Sequence, residues 1–241
     1  LAAARDADPQ NLRYLIAYAW LQQREGHYKE ALTTLKSAQE FTTRTPAIPF
    51  RAAVSYFYLG LNAQAAQACE DALRIDPDFS EAYLLLGAVR LQQQDFQGAQ
   101  STFQRAASLK PDVALFHILL GVAFYKRGHL QQSVRELNRA LALDPQAAPA
   151  YFYRAQVLAI QGKQRKAIAD LETAVALNPH YRKAYAELAR LYSAAGQPER
   201  AAAALAKESA ELRREESEDN RMFNQLQDLP EVIGGLGLDI R

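Results

Sequence analysis

Four histidines, one cysteine and a short glycine-rich stretch are the residues of this sequence whose types could do chemistry. A helical metal pair needs two imidazoles three or four residues apart. His27, His117, His129 and His180 offer no such spacing. His27 and His129 occupy equivalent turn positions and read as solvated turn residues, and His117 reads as a polar-tipped ring within helix packing. Cys69 could act as a nucleophile only beside a base in an electropositive setting. Its neighbours supply neither, so it reads as a small buried hydrophobe. A single cysteine closes neither an internal disulfide nor a zinc cage. Gly234-Gly235-Leu236-Gly237 follows no clear strand and precedes no helix, and so reads as a flexible end and not as a phosphate cradle. Arg213-Arg214, flanked by glutamates, reads as a solvated helix face. No catalytic residue, no metal site and no cofactor is expected.

Bulk composition narrows the classes further. The 28 basic residues nearly balance 27 acidic ones, for a net charge of +1, which leaves no electrostatic footprint for nucleic acid or anionic lipid. No run of about 18 uncharged apolar residues exists to span a membrane. With 49% of 241 residues hydrophobic, the chain can fill one large or two ordinary globular domains, and it is too apolar to stay unfolded. Arginine supplies 20 of the 28 basic residues, and alanine and glutamine are abundant, a composition that suggests a bacterial source.

The elements that hold these residues repeat. Gly26, Gly60, Gly128, Gly162 and Gly196 fall on one 34-residue period whose skipped position holds Gln94. Eleven glycines in 241 residues would put fewer than one in six such positions by chance. Pro9, Pro77, Pro111, Pro145 and Pro179 keep the same period, as do Ala31, Ala65, Ala99, Ser133, Ala167 and Ala201, and Ala38, Ala72, Ala106, Ala140 and Ala174. Within 80–113, Tyr83, Leu86, Gly87 and Arg90 form one helical stripe, and Ala99, Phe103 and Ala106 form a second. Gly87 lets the second helix approach closely, the recurring glycine supplies the positive φ of a helix end, and the recurring proline stops each second helix.

Tyr83, Leu86, Gly87, Ala99, Phe103, Ala106 and Pro111 resemble the tetratricopeptide repeat pattern, over residues 1 to about 205. The resemblance implies an all-α fold, a right-handed superhelical solenoid of about six antiparallel helix hairpins, with the first helix of each lining a concave surface. Repeats are expected at 12–45, 46–79, 80–113, 114–147 and 148–181. A terminal repeat with a long, charged capping helix follows over 182–219, and an apolar tail over 220–241. Residues 1–11 read as the end of a preceding repeat, so the parent protein is expected to extend upstream, and the compartment, cytoplasmic or periplasmic, stays open. Pro46 and Pro49 place the start of the second repeat's first helix near Pro49.

On the inner face, the resemblance brings Ile16, Trp20, Phe50, Val54, Phe57, Leu84, Leu85, Ile118, Leu119, Tyr125, Phe152 and Tyr153 together. The asparagines with which some family members clasp a peptide, or line the O-linked sugar transferase, are missing there. The apolar side chains either pack on one another across repeats and narrow the groove, or form a hydrophobic groove for an apolar or amphipathic peptide. In the second case four or five anchors at about 2 kcal/mol each, less the cost of association, imply roughly micromolar binding. The expected function is a non-catalytic protein-interaction scaffold with a protein or peptide partner. The alternative is a regulatory or substrate-docking portion of a larger enzyme or of a secretion or envelope assembly. Met222, Phe223, Leu226, Leu229, Val232 and Ile233 make the tail itself, or a second copy of the chain, a candidate occupant.

Overall fold

In a computed structural model, residues 11–42 and 44–217 are described, and these residues form twelve α-helices and no strand. The expectations that fall on residues 1–10 and 218–241 lie outside them. The chain divides into two compact units, Leu1–Pro111 and Asp112–Arg241. The first holds α1 (Leu12–Arg24), α2 (Tyr28–Phe41), α3 (Ala47–Tyr58), α4 (Asn62–Ile75), α5 (Ser80–Gln92) and α6 (Phe96–Leu109). The second holds α7 (Ala114–Lys126), α8 (Leu130–Leu143), α9 (Ala148–Ile160), α10 (Gln164–Leu177), α11 (Arg182–Ala194) and α12 (Pro198–Ser217). In each unit consecutive helices pack as hairpins, three pairs per unit, and all six pairs carry the sequence period.

The turn inside each pair is a backbone device. In the first, the His27 amide donates to the Gln22 carbonyl at 2.8 Å and the Gly26 amide to that of Gln23 at 3.1 Å, which satisfies carbonyls that a helix end leaves unpaired. This geometry needs a left-handed residue, and Gly26 has φ +78°. Gln94 fills the same position at φ 60°, a conformation an L side chain adopts only at a cost. Between pairs the proline acts with the residue before it. The Asp76, Asp144 and Asn178 side chains each accept a hydrogen bond from the backbone amide two residues on, at 2.9–3.0 Å, and so build the turn that the proline then stiffens.

Small residues set how closely the helices approach. Ala31, Ala65, Ala99 and Ala167 are fully buried, as are Ala38, Ala72, Ala106, Ala140 and Ala174. Ser133 stands in the first series and its hydroxyl donates to the Gly121 carbonyl at 2.7 Å, so the buried oxygen is satisfied. A Cβ on Gly87 would sit 2.3 Å from the Phe103 ring. Contacts also run between pairs: Leu15, Ala19, Ala31, Leu35, Ala38 and Ile48 form one core, in which α3 covers the hairpin before it.

Helix α3 starts at Ala47, near Pro49 as expected. Pro49 is its third residue, where an amide would have no intrahelical acceptor, so the missing N–H costs nothing. No described helix is long and apolar enough to cross a membrane.

Candidate functional site

Nine of the twelve residues expected on the inner face are interior. In the first unit Phe50, Val54, Phe57, Leu84 and Leu85, and in the second Ile118, Leu119, Phe152 and Tyr153, are at most 6% exposed. Aromatic contacts account for part of this. Phe50 meets Phe79 edge-on at 5.2 Å, and Phe152 lies 4.9 Å from Tyr181 and 5.2 Å from Tyr153. Phe57 lies edge-on to Tyr58, which stacks on Tyr28 at 4.8 Å and 7°. Ile16, Trp20 and Tyr125 stay half-exposed. Phe79 and Tyr181, which cover the inner aromatics, lie in the links before α5 and α11.

The potential chemical groups are equally placed. Cys69 is fully buried, and burial, with Glu70 adding to it, pushes its thiol pKa far above the usual value, so no thiolate forms. His117 is buried with its Nδ1 2.8 Å from a Glu136 carboxylate oxygen, a contact its sequence position did not reveal. His27 is exposed, but His129 departs from the solvated reading: its ring packs 6.1 Å from Phe124, and its buried Nδ1 has no hydrogen-bond partner. Among the described residues no group of three or more histidines, cysteines or acids is placed to hold a metal.

In the first unit Trp20 has the Arg24 guanidinium 5.0 Å over its ring, and Gln23, Arg51 and Ser55 form a buried polar set. The Gln23 amide donates to the Arg51 carbonyl at 2.6 Å and to the Ser55 hydroxyl at 2.8 Å. The Arg51 guanidinium reaches only the Gln23 carbonyl oxygen, at 3.3 Å, and its Nε has no partner. Arg51 is 3% exposed, and burial lowers its pKa to about 10.

The second unit has an open cleft of about 380 Å³. Tyr125 of α7, Gln156, Ala159 and Ile160 of α9, and Glu187, Arg190 and Ala194 of α11 line it. Ile160 is 59% exposed, the most of any large hydrophobic side chain among the described residues. The Gln156 carboxamide makes no hydrogen bond within the described residues and is free to serve a ligand. Glu187 and Arg190 pair at 2.8 Å on the rim. Burial raises the Tyr125 pKa, Glu187 raises it further, and Arg190 opposes both, so the phenol stays a hydrogen-bond donor at neutral pH. Gln164 ties α10 to α11 at the cleft's edge by donating to the Leu191 carbonyl at 2.9 Å. Tyr125 was expected here, and Ile160 was not. Its signal was an apolar residue at a position otherwise held by Arg24, Tyr58, Gln92, Lys126 and Ala194.

Models of the tetratricopeptide repeat match residues 50–114, 86–148 and 118–168, and a second such model matches 158–216. The chain is a tetratricopeptide repeat protein. Solved tetratricopeptide structures share its fold. One, from Parabacteroides merdae, is 24% identical over 87% of this chain and 83% of its own, with a TM-score of 0.69. YrrB, described as a TPR protein with an unusual peptide-binding site, is 20% identical over 74% of this chain and 92% of its own, with a TM-score of 0.61. A chain of the APC/C hetero-tetramer Cut9-Hcn1 aligns with 95% of this one at 18% identity and a TM-score of 0.76, and 44% of its own length is covered. No curated protein is significantly similar in sequence. Tetratricopeptide repeats are generally protein-interaction scaffolds, and in this tetratricopeptide protein the repeat fold presents the cleft on its first-type helices.

Proposed function

We propose that this tetratricopeptide chain is a non-catalytic scaffold that receives a short amphipathic segment of a partner protein in the cleft of α7, α9 and α11. The observation that carries this reading is the pairing of an exposed Ile160 with the unpartnered Gln156 carboxamide one helical turn away. An apolar side chain of the segment would seat on Ile160, Ala159 and the Tyr125 ring. Gln156 can donate to and accept from one residue of an extended backbone. The Glu187–Arg190 pair would face the segment's polar side. That YrrB carries a peptide-binding site on the same fold supports the reading by analogy.

Burying the exposed part of Ile160 and Tyr125 contributes about 1–2 kcal/mol each, and the Gln156 hydrogen bonds about 1 kcal/mol each. Association costs offset much of this, so affinity no tighter than about micromolar is expected. The test is selection of random peptide libraries against the whole chain, followed by titration of the enriched peptides into Ile160→Asp and Gln156→Ala variants. Loss of binding at least tenfold in Ile160→Asp, and a smaller loss in Gln156→Ala, is expected. Enriched peptides that bind both variants as well as the parent would place the site elsewhere.

A further inference from the structure

The cleft of α7, α9 and α11 has an excess of positive charge along part of its border. Lys126, the last residue of α7, holds its ammonium 5.8 Å from the centre of the Tyr125 ring. Lys163, Arg165 and Lys166 stand at the start of α10, around Gly162 and Gln164, which line the cleft. All four cations are exposed, and none of them pairs with a carboxylate among the described residues. Lys163 donates to the Gln161 carboxamide oxygen at 2.7 Å. Among the residues that line the cleft Glu187 is the one acid, and Arg190 already neutralises it. The turn after α11 is balanced, with Glu199 and Arg200 supplying one charge of each sign.

The repeat itself does not ask for these cations. In the preceding pair the positions of Lys163, Arg165 and Lys166 hold His129, Gln131 and Gln132. The helix dipole favours acids in a first turn and opposes cations there, and α10 has no acid in its first turn. Lys126 differs, because a helix C-terminus favours a cation. Like charges gathered at one border repel one another, and a negative group settling among them relieves that repulsion. Three of the four cations lie in a turn or on a second helix, away from the first-helix positions at which some family members clasp a peptide.

We infer that the segment received in the cleft is acidic: an apolar residue on Ile160 adjoined by aspartates or glutamates that lie along Lys126, Lys163, Arg165 and Lys166. This rests on the scaffold reading above and adds the partner's charge and the direction in which it lies, with its acids towards the turns after α7 and α9 and not towards the turn after α11. The Tyr125 phenol, which stays protonated at neutral pH, can donate to a carboxylate placed there. A protein segment fits better than a nucleic acid or a lipid surface, because the cations border an exposed apolar side chain, Ile160, that a polyanion would leave uncovered. Exposed ion pairs are individually weak, so their effect is read as selectivity and salt dependence.

Two short peptide libraries test this. Both carry a fixed leucine, and the flanking positions are Asp and Glu in one and Asn and Gln in the other. Each is selected against the full chain, and the enriched peptides are titrated into the parent, Lys163→Glu/Arg165→Glu and Ile160→Ser. All three substituted positions are exposed, and circular dichroism checks that the fold persists. The acidic peptides are expected to bind at least tenfold more tightly than the neutral ones, and to lose at least tenfold in affinity between about 0.05 and 0.5 M salt. Charge reversal should remove that advantage and leave the neutral peptides unaffected, whereas Ile160→Ser should weaken both kinds. Equal binding of the two kinds, still weakened by Ile160→Ser, overturns the charge inference and leaves the scaffold reading standing. Binding indifferent to both variants overturns both. Duplex DNA or phosphatidylserine vesicles that bind the parent, lose binding on charge reversal and ignore Ile160→Ser would assign the cations to a general polyanion surface instead. A dimer in light scattering that charge reversal splits would overturn the inference in favour of a second copy.

Discussion

Replacing Arg51 by methionine should stabilise the first unit, against the usual outcome of a core substitution. The guanidinium is interior, its Nε is unpaired, and its one side-chain hydrogen bond is a 3.3 Å contact to the Gln23 carbonyl oxygen. No carboxylate among the described residues approaches it. Burial lowers its pKa from the ordinary arginine value to about 10, so at neutral pH the group stays charged inside the protein and the charge opposes folding. At about 1.36 kcal/mol per pKa unit, that opposition is about 3 kcal/mol. Methionine keeps the length and the apolar stem without the charge. The loss is the donor to Gln23, worth about 1 kcal/mol, while Gln23 keeps its bonds to the Arg51 backbone carbonyl and to Ser55. The net expectation is a gain of about 1–2 kcal/mol. Urea denaturation followed by circular dichroism at pH 7 reads it, as a transition shifted to higher urea. A folded pKa below the unfolded one means that the unfolded state binds more protons from about pH 10 up to the ordinary arginine value, so this unfavourable contribution fades as pH rises above about 10. A methionine variant less stable than the parent by 1 kcal/mol or more would refute the reasoning and show that the charge is compensated.

Two further perturbations follow from the packing. Gly87→Ala places a Cβ 2.3 Å from the Phe103 ring and should cost about 1–3 kcal/mol in urea denaturation, with Phe103→Leu restoring part of the loss, since leucine fills that position in four of the other five pairs. In the last pairs, the Tyr192 hydroxyl donates to Glu172 at 2.6 Å and accepts from Arg200 at 2.8 Å, and burial, followed by Glu172, raises its pKa to about 12. Because the folded pKa lies above the unfolded value, its contribution should be intact below pH 10 and lost as pH rises to about 12. The stability difference between parent and Tyr192→Phe should shrink over that window, and a difference independent of pH would contradict the assignment.

The fold was legible because its determinants are local. A glycine at positive φ in five of the six hairpin turns and a proline after four of the six second helices are local backbone requirements that recur with the hairpin. Alanines at the crossing points recur for the same reason. Helix α3 begins at Ala47, which puts Pro49 in its first turn, where a proline is tolerated. The inner face was less legible because exposure there depends on residues outside the helix being read. Phe50 and Phe152 look available on a helical wheel. Phe79 and Tyr181, each 29 residues downstream in a link, take up their ring faces. Arg51 escaped notice for a related reason: a lone arginine on a wheel suggests solvent, and only the burial of α3 shows it enclosed.

This division between packing and binding has a physical origin. A large apolar side chain on the inner face is drawn against the neighbouring pair, because burying it there costs no loss of a partner's translational freedom. Such residues therefore stabilise the stack and leave little surface for a ligand. Surface remains where the sequence puts small or polar groups. The inner position filled by Phe50, Leu84, Ile118 and Phe152 becomes Ala186 in α11, and the one filled by Val54, Ala88 and Val122 becomes Gln156 and Arg190 in α9 and α11. Neither change can be satisfied by helix-to-helix packing alone, and the cleft opens among these helices, with Ile160 left over beside an amide that nothing else engages. On the binding reading proposed above, departures from the inner apolar pattern that stay at least partly exposed, as at Gln156 and Arg190, and not the residues that keep it, are where a partner would be received.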